Sequence, residues 1–476
     1  MSNTLNLLET NDFPTLSTVS AGVVTLIDSR TKELVNFEKV TTGSPTVDGV
    51  MYLENNGEKY ARIHNGVINP EWFGPGKTHI ELQAAIDASQ PNDTILIRGK
   101  YRCSDQIKIT KGALTFLGQN YINGNDTGSN EGSRIIFDNF TNHTVDSCIE
   151  ATSVSLCIKN LCIFGSELPG KIGVKIVGNI NGCLTLDSAV VQNFEVGVKI
   201  TEGYYNRFIN SYIGYCSTCL VLDKCYNATA SSLSIRAGYE DTVDLTNIGI
   251  LLLNDSNFSM FGGSVESFSD AGIILFSSRV LCNGVYFEGE KADDNASCIK
   301  IKDNNCRVNA VSCHAYLTEG HSSSFIQIPA TVTSAHIYSK NNHFEYAENW
   351  YTSVYKFEAT DFTGYNIDIS GDNFKNGLIA GSSYIAITSN LLKKGKGIVR
   401  ITYPSGHALA GVHLTNLNTV SPYQYNAVTG AENGMITTFA NSGYPGDDGA
   451  SLYGTIGYTP YTAVFDNGTW KKIPKL

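Results

Sequence analysis

The tetrapeptide Gly173-Val-Lys-Ile176 returns as Gly197-Val-Lys-Ile200, and looser copies of the same pattern follow through the middle of the chain. The later copies alternate apolar residues in the same way and begin at Cys219, Gly249, Gly272, Cys298, Phe325 and Val354. Successive copies start 24, 22, 30, 23, 26, 27 and 29 residues apart. A period of this size is typical of a solenoid, in which each unit buries its apolar face only by stacking on its neighbours.

The repeating units are predicted to be strands. Each copy alternates with a period of two, is rich in β-branched residues and is bounded by clusters of Asn, Gly, Asp or Ser. A second strand in each unit ends in an apolar residue and a polar one, as in Ile235-Arg236, Val265-Glu266 and Phe287-Glu288. Leucine-rich repeats have a similar period, but their Leu-x-x-Leu-x-Leu pattern and helical half are missing. We therefore predict an all-β protein built as a right-handed parallel β-helix.

The composition argues against several classes of function. Charged residues make up 17% of the 476 residues and the net charge is −11, so we expect no nucleic-acid partner, which needs a basic patch. The chain has no apolar run of about 18 residues, so we expect no membrane insertion. The first residues lack the pattern of a secretory signal, so we expect synthesis in a cytoplasm.

The twelve cysteines are expected to be reduced and structural, because several lie within or beside strand runs, where a free cysteine acts as a small buried apolar residue. Cys216-x-x-Cys219 has the spacing of a zinc-binding pair, but no second pair with that spacing follows. We therefore expect no metal site and no cofactor.

Three segments of the chain differ in pattern. Residues 1–66 contain short predicted strands at 23–27, 49–53 and 59–63. In residues 67–360, Thr78 and Glu81 have capping-box spacing ahead of an apolar run, which predicts one helix that covers the open first coil. After about residue 360 the copies stop and longer alternating runs follow, so residues 361–476 are predicted to form a C-terminal β-sandwich-like domain.

The start of the solenoid resembles a known family. Asn69-Pro-Glu-Trp-Phe-Gly74, Gln83-Ala-Ala-Ile-Asp87 and Asp93-Thr-Ile-Leu-Ile97 are similar to the start of the β-helix in bacteriophage tailspike proteins, which belong to the pectate-lyase-like superfamily. The resemblance implies a homotrimer on a phage virion whose β-helix binds, and usually cleaves, capsular polysaccharide or lipopolysaccharide O-antigen of the bacterial host. It also implies attachment to a phage tail or baseplate protein through residues 1–66, and a C-terminal segment that trimerises or binds carbohydrate.

Glu266 and Glu288 are the predicted catalytic residues. Alternation sends the preceding apolar residues inward, so both glutamates point outward from adjacent coils, about 4.8 Å apart along the axis. Stacked carboxylates repel, which favours one protonated and one ionised group, and glycoside hydrolysis needs such an acid together with a nucleophile or base. A separation of about 5 Å would favour retention of stereochemistry, and about 6.5–9.5 Å would favour inversion.

Residues around the glutamate pair are predicted to bind substrate: Arg236, Tyr239, Asp270, Tyr286, His314 and Tyr316. Three alternatives stay open. In the first, Glu266 and Glu288 form a solvated surface ladder and the catalytic acids are Asp270 or residues 293–294. In the second, the same scaffold carries a polysaccharide lyase, which needs a base beside a charge neutraliser. In the third, the protein is a spike that binds glycan without cutting it.

Overall fold

The structure is a computed structural model. It describes residues 8–374 apart from 16–20, 44, 120–131, 139, 141–143, 179–182, 239–246, 290–295, 318–323, 347–352 and 359–363, and then the strands 383–387, 398–402, 413–415, 436–439, 461–466 and 469–472. Nearly all regular structure in these residues is β, with a single α-helix, so the predicted all-β class is confirmed. No helix in this part of the chain has the length and apolar character that crossing a membrane requires.

The N-terminal segment forms a four-stranded antiparallel sheet with its own small core. Its strands are Val23–Ile27, Leu34–Lys39, Tyr52–Asn55 and Glu58–Arg62, and the short 3₁₀ helix Phe13–Thr15 precedes them. The sequence prediction missed Leu34–Lys39, whose alternating exposed and buried residues pack Val35 and Phe37 into this core. The polar Asn36 between those two apolar side chains, and the charged Glu38 and Lys39 after them, conceal the strand in the sequence.

The buried Arg62 ties this sheet to the start of the solenoid through its contact with Trp72. Arg62 Nη2 lies 2.5 Å from Asp28 Oδ2, and the guanidinium lies 4.3 Å from the ring centre of Trp72. Trp72 belongs to the 3₁₀ helix Pro70–Trp72, which leads into the α-helix His79–Ala88.

The α-helix begins as the sequence predicts. Thr78 accepts a hydrogen bond from the helix, and Glu81 accepts one from the Thr78 backbone, so the capping box is present. The buried side chains Leu82, Ala85 and Ile86 belong to the core of the solenoid. The helix therefore covers the first coil, which would otherwise expose unpaired apolar surface.

The solenoid is a parallel β-helix in which each coil contributes one strand to each of three parallel ladders. Ladder 1 comprises Val67–Ile68, Thr94–Ile97, Leu114–Gly118, Leu156–Lys159, Leu184–Asp187, Arg207–Ile209, Ala228–Ser231, Asn257–Phe261, Arg279–Asn283, Cys306–Val311, Ser334–Lys340, Gly364–Ser370 and Ile398–Thr402. This arrangement confirms the parallel β-helix predicted from the repeat.

Ladders 2 and 3 follow ladder 1 within each coil, and the long strands Cys162–Val177 and Val190–Thr201 run through both. The other strands of ladder 2 are Lys100–Arg102, Arg134–Phe137, Tyr212–Cys216, Ser234–Ala237, Ser264–Phe268, Tyr286–Gly289, His314–Leu317, His343–Tyr346 and Asn373–Phe374. Those of ladder 3 are Ile107–Ile109, Ser147–Thr152, Thr218–Asp223, Ile248–Leu253, Ala271–Leu275, Ser297–Ile301, Ser324–Ile328, Ser353–Phe357 and Ser383–Ile387.

The repeated tetrapeptide is the inward column of ladder 3. Its second residues pair in sequence along the ladder and are fully buried: Val174, Val198, Leu220, Ile250, Ile273, Ile299 and Ile326. Burying a side chain of this size stabilises the fold by roughly 1.5–3 kcal/mol. Each coil gains this stabilisation only with its neighbours in place, which explains the regularity of the repeat.

The parallel ladders extend beyond residue 360, where the sequence pattern changes. Gly364–Ser370 pairs in parallel with Ser334–Lys340, and Ile398–Thr402 continues the same ladder. The predicted boundary at 360 is therefore not the end of the solenoid. After it, His413–Thr415 pairs antiparallel with the last ladder strand, and Ile436–Phe439, Tyr461–Asp466 and Thr469–Lys472 form an antiparallel sheet. Most of the predicted C-terminal β-sandwich-like domain lies outside the described residues.

All twelve cysteines are free thiols, as predicted, and ten of them are buried. Burial raises the pKa of most of these thiols, because the low-polarity interior disfavours the thiolate. They therefore act as small apolar side chains of the core.

Candidate functional site

The outward face of ladder 2 carries a continuous column of polar side chains. Arg236, Glu266, Glu288, Tyr316 and Glu345 are direct backbone partners on five successive strands. All five side chains are partly buried, whereas the residue before each of them is fully buried. The predicted inward and outward positions at Val265-Glu266 and Phe287-Glu288 are therefore confirmed.

A tight corner between ladders 1 and 2 keeps this column in register. In each of these coils the residue four positions before the column takes a positive φ at the corner, for example 54° at Ser232 and 52° at Ser312, with glycine at 262 and 284. Its backbone N–H donates to the carbonyl before the same corner of the next coil, at 2.8–3.0 Å. The column residue follows four positions later every time. A corner of constant length thus aligns side chains from coils of different length.

Glu266 and Glu288 are neighbours on adjacent strands, so their backbones are about 4.8 Å apart. The hydroxyl of Tyr286 donates to Glu288 Oε2 at 2.7 Å. Burial, followed by the hydrogen bond to Glu288 and the negative charge around it, raises the pKa of Tyr286 well above its ordinary value. Tyr286 therefore stays protonated and acts as a fixed donor to one carboxylate of the pair.

Arg236 lies at the N-terminal end of the column, next to Glu266 in the register. Its guanidinium lies 5.2 Å from the ring centre of Tyr215, and Nη1 donates to the Tyr215 hydroxyl at 3.3 Å. The aromatic ring thus holds a positive charge at one end of the carboxylate pair. Such a group can bind a hydroxyl or carboxylate of a sugar.

His314 and Tyr316 lie on the next strand, on the other side of Glu288. The His314 ring meets the Tyr286 ring edge-on, with centroids 5.3 Å apart, and His314 Nε2 lies 3.2 Å from Glu345 Oε1. Tyr316 is the register neighbour of Glu288. The structure therefore brings six of the eight predicted catalytic and substrate-binding residues onto one face, with Glu288 among them.

One predicted substrate-binding residue, Asp270, does not join this group. Asp270 lies between ladders 2 and 3, where it forms an ion pair with the buried Lys300 of ladder 3 and its backbone N–H donates to Asn247. Because this ion pair stabilises a buried cation, Asp270 has a structural partner at this position. Tyr239 lies outside the described residues.

Sequence reasoning missed Glu345 and the tyrosine–carboxylate contact. His343 and Glu345 are two residues apart, as are Tyr286 and Glu288, so each pair shares the outward face of one strand. That spacing was visible in the sequence. The partners across strands were not, because the coils differ in length.

A groove lies on the outward face of ladder 1. It has a volume of about 360 Å³ and is lined by Arg307, Asn309, His336, Ile337, Tyr338, Asn366 and Asp368. Partial burial, followed by the positive charges of Arg307 and Arg279, lowers the pKa of His336. The groove therefore combines a neutral imidazole with a cationic neighbour near neutral pH.

These features define the protein class as a parallel β-helix with a polar outward face on one ladder. No protein-family model matches the sequence, and no curated protein matches it either. Among solved structures, the enzymatically active domain of tailspike protein 2 from bacteriophage CBA120 is 15% identical, with a TM-score of 0.50 over 98% of this chain and 79% of that chain. A tailspike protein of Acinetobacter baumannii phage AM24 is 13% identical, with a TM-score of 0.48 over 99% of this chain and 84% of that one. The predicted resemblance to tailspike proteins is thus confirmed at the level of the fold.

Proposed function

We propose that the protein is a phage tailspike that hydrolyses the capsular polysaccharide or O-antigen of a host bacterium. The observation that carries the proposal is the direct alignment of Glu266 and Glu288 on the partly buried face of ladder 2. A pair of neighbouring carboxyl groups is the chemical requirement for glycoside hydrolysis. The similarity in fold to the enzymatically active domain of a tailspike protein supports an enzymatic role on a phage tailspike.

The contacts of the two glutamates differ, and this difference suggests their roles. Glu288 accepts a hydrogen bond from Tyr286, an arrangement suited to a carboxylate that acts as nucleophile or base. Glu266 is then the acid that protonates the leaving glycosidic oxygen, while Arg236 beside it holds a substrate oxygen. The rings of Tyr286, His314 and Tyr316 extend the face on the other side and offer surfaces for sugar rings.

We expect Tyr286→Phe to lower kcat by about tenfold or more, because it removes a hydrogen bond to a charged group. KM should change little, since the ring and its edge contact with His314 remain. Tyr338→Phe, on the ladder 1 groove, is the matched control and should leave kcat unchanged. Equal losses in the two variants, or a rise in KM alone, would contradict the positioning role of Tyr286.

The experiment that tests the function is a depolymerisation screen of purified capsules and O-antigens. The proposal expects new reducing ends without the ultraviolet absorbance of an unsaturated uronate. That absorbance would instead identify a lyase, because elimination leaves a double bond. Retention on a host glycan with no cleavage would identify a spike that only binds, and the hydrolase proposal would then be wrong.

A lyase is the second candidate, and the groove on ladder 1 favours it. His336 has a lowered pKa and is therefore a neutral base near pH 7, while Arg307 beside it is placed to neutralise a uronate carboxylate. His336 would remove the proton next to that carboxylate, and the glycosidic oxygen would leave with a proton from Tyr338 or water. In that case Arg307→Ala would abolish cleavage, whereas the hydrolase proposal expects it to have no effect.

The proposal includes the assembly of a tailspike. We infer a homotrimer, attachment to the phage tail or baseplate through residues 1–66, and a role in trimerisation or carbohydrate binding for residues 361–476. The small separate core of the N-terminal sheet supports an attachment module distinct from the solenoid. Light scattering that gives the 51.6 kDa of one chain at micromolar concentration would contradict the trimer.

A further inference from the structure

Two histidines and a glutamate lie together on ladder 2, next to the proposed catalytic face. His314 and His343 are direct partners on adjacent strands, and Glu345 follows His343 by two residues on the same face. The two imidazole rings are 4.9 Å apart between centroids. One potential ligand atom from each of the three side chains lies within 4.8 Å of the others.

We propose that His314, His343 and Glu345 bind a divalent transition-metal ion of the Zn²⁺ class. Two imidazoles and one carboxylate form a ligand set that binds Zn²⁺ and its neighbours in the first transition row. Zinc–ligand distances of about 2.0–2.1 Å place tetrahedral ligand atoms about 3.3 Å apart. The distance of 3.2 Å between His314 Nε2 and Glu345 Oε1 matches that requirement.

The two paired strands already hold the backbones of all three ligands in place. Parallel pairing fixes the backbones of His314 and His343 on neighbouring coils, so metal binding requires only small rotations of side chains. Ca²⁺ and Mg²⁺ prefer ligand sets made of oxygen, so two imidazoles select against them. This inference is the opposite of the sequence-based expectation of no metal site, which rested on the spacing of the cysteines.

The site has an open side and a defined neighbour. The side chains of His314 and Glu345 are 36% and 19% exposed, so three protein ligands leave a coordination position that faces outward. Tyr286 separates the site from the carboxylate pair, because its ring contacts His314 and its hydroxyl contacts Glu288. The metal site is thus contiguous with the proposed catalytic face, but its existence does not depend on the proposed function.

The test uses the full chain, without a polyhistidine tag, stripped with a chelator and then dialysed. Titration with Zn²⁺ by calorimetry, and with Co²⁺ by its visible absorption, should show saturable binding of about one ion per chain, with the strong absorption of tetrahedral Co²⁺. A large excess of Mg²⁺ or Ca²⁺ should not displace the bound ion.

Variants locate the site. His343→Ala and the nearly isosteric Glu345→Gln should each weaken Zn²⁺ binding at least tenfold, since loss of an outer hydrogen-bond partner alone costs about 10–100-fold. His336→Ala removes a histidine on ladder 1 and should leave binding unchanged. The proposal is overturned if neither ion binds saturably, or if Glu345→Gln, folded by circular dichroism, binds as tightly as the wild type.

Discussion

Glu288→Gln is expected to lower the turnover of polysaccharide cleavage by about 10²–10⁴-fold while glycan binding and folding are retained. Glutamine keeps the volume of the side chain and an oxygen that can accept the hydrogen bond from Tyr286. It cannot act as nucleophile or base, because its amide does not ionise in the required range. Catalytic turnover is therefore lost, while the side-chain contacts on the outward face of ladder 2 remain.

Glu266→Gln should cause a loss of similar size, because an amide has no proton to give to the leaving oxygen. Since the two groups act in one reaction, the double variant should lose little more than the worse single variant. Glu202→Gln is the matched control, since Glu202 lies at an exposed turn with an exposed partner, Lys224. Kinetics with a cleavable host glycan, binding measurements and melting curves check all four proteins.

Two results would contradict the assignment of the glutamate pair. One is activity within about threefold of the wild type in both single variants. The other is an equal loss in Glu202→Gln, which would point to a general effect of removing charge. Asp270→Asn serves a different purpose, because its ion pair with Lys300 makes a loss of stability the expected outcome.

Mild alkali is expected to unfold the reduced protein between about pH 9 and 10.5. Burial raises the pKa of nine thiols in the folded chain, to about 11 for both Cys225 and Cys313. The nine are Cys103, Cys148, Cys157, Cys162, Cys219, Cys225, Cys282, Cys306 and Cys313. In the unfolded chain a thiol ionises near pH 8.5, so only the unfolded state loses these protons as the pH first rises.

The sign of the effect follows from this difference. Because the folded pKa lies above the unfolded one, the contribution of each thiol to stability is complete below about pH 8.5 and is lost as the pH rises toward the folded pKa. In that window each thiol lowers the free energy of unfolding by about 1.4 kcal/mol for each unit by which the pH rises. The seven thiols with a strongly raised pKa, which are all of the nine except Cys157 and Cys306, together lower the free energy of unfolding by on the order of 10 kcal/mol at pH 9.5, comparable to the whole stability of a typical domain.

Equilibrium urea unfolding at pH 7.5, 8.5 and 9.5, with a phosphine reductant and near-ultraviolet circular dichroism, checks this expectation. Most tyrosines and lysines do not titrate below pH 9.5, so the window isolates the thiols. Cys282→Ala removes a thiol at a fully buried position. The free energy of unfolding of this variant should therefore fall less steeply with pH, by the share of one thiol. An unfolding midpoint that stays constant from pH 7.5 to 9.5 would contradict the prediction.

The sequence by itself determined the solenoid and the direction of its side chains. The repeat of the Gly173 and Gly197 tetrapeptides marks a column that only stacking can bury, and that column is buried in the structure. Alternation with a period of two sends Glu266 and Glu288 to the same outward face. Both inferences use distances of a few residues or one repeat, which are fixed by backbone geometry.

The tertiary structure decided which side chains meet. The hydrogen bond of Tyr286 with Glu288, the ion pair of Asp270 with Lys300 and the cluster at Glu345 depend on rotamers and on partners in other strands. Coils of 22 to 30 residues hide that alignment, because only the tight corner between ladders 1 and 2 has a constant length. The boundary predicted at residue 360 has the same origin, because the sequence pattern changes there while the strands continue to pair in parallel. Periodicity therefore tells which face a residue occupies, and only the folded register tells what it contacts.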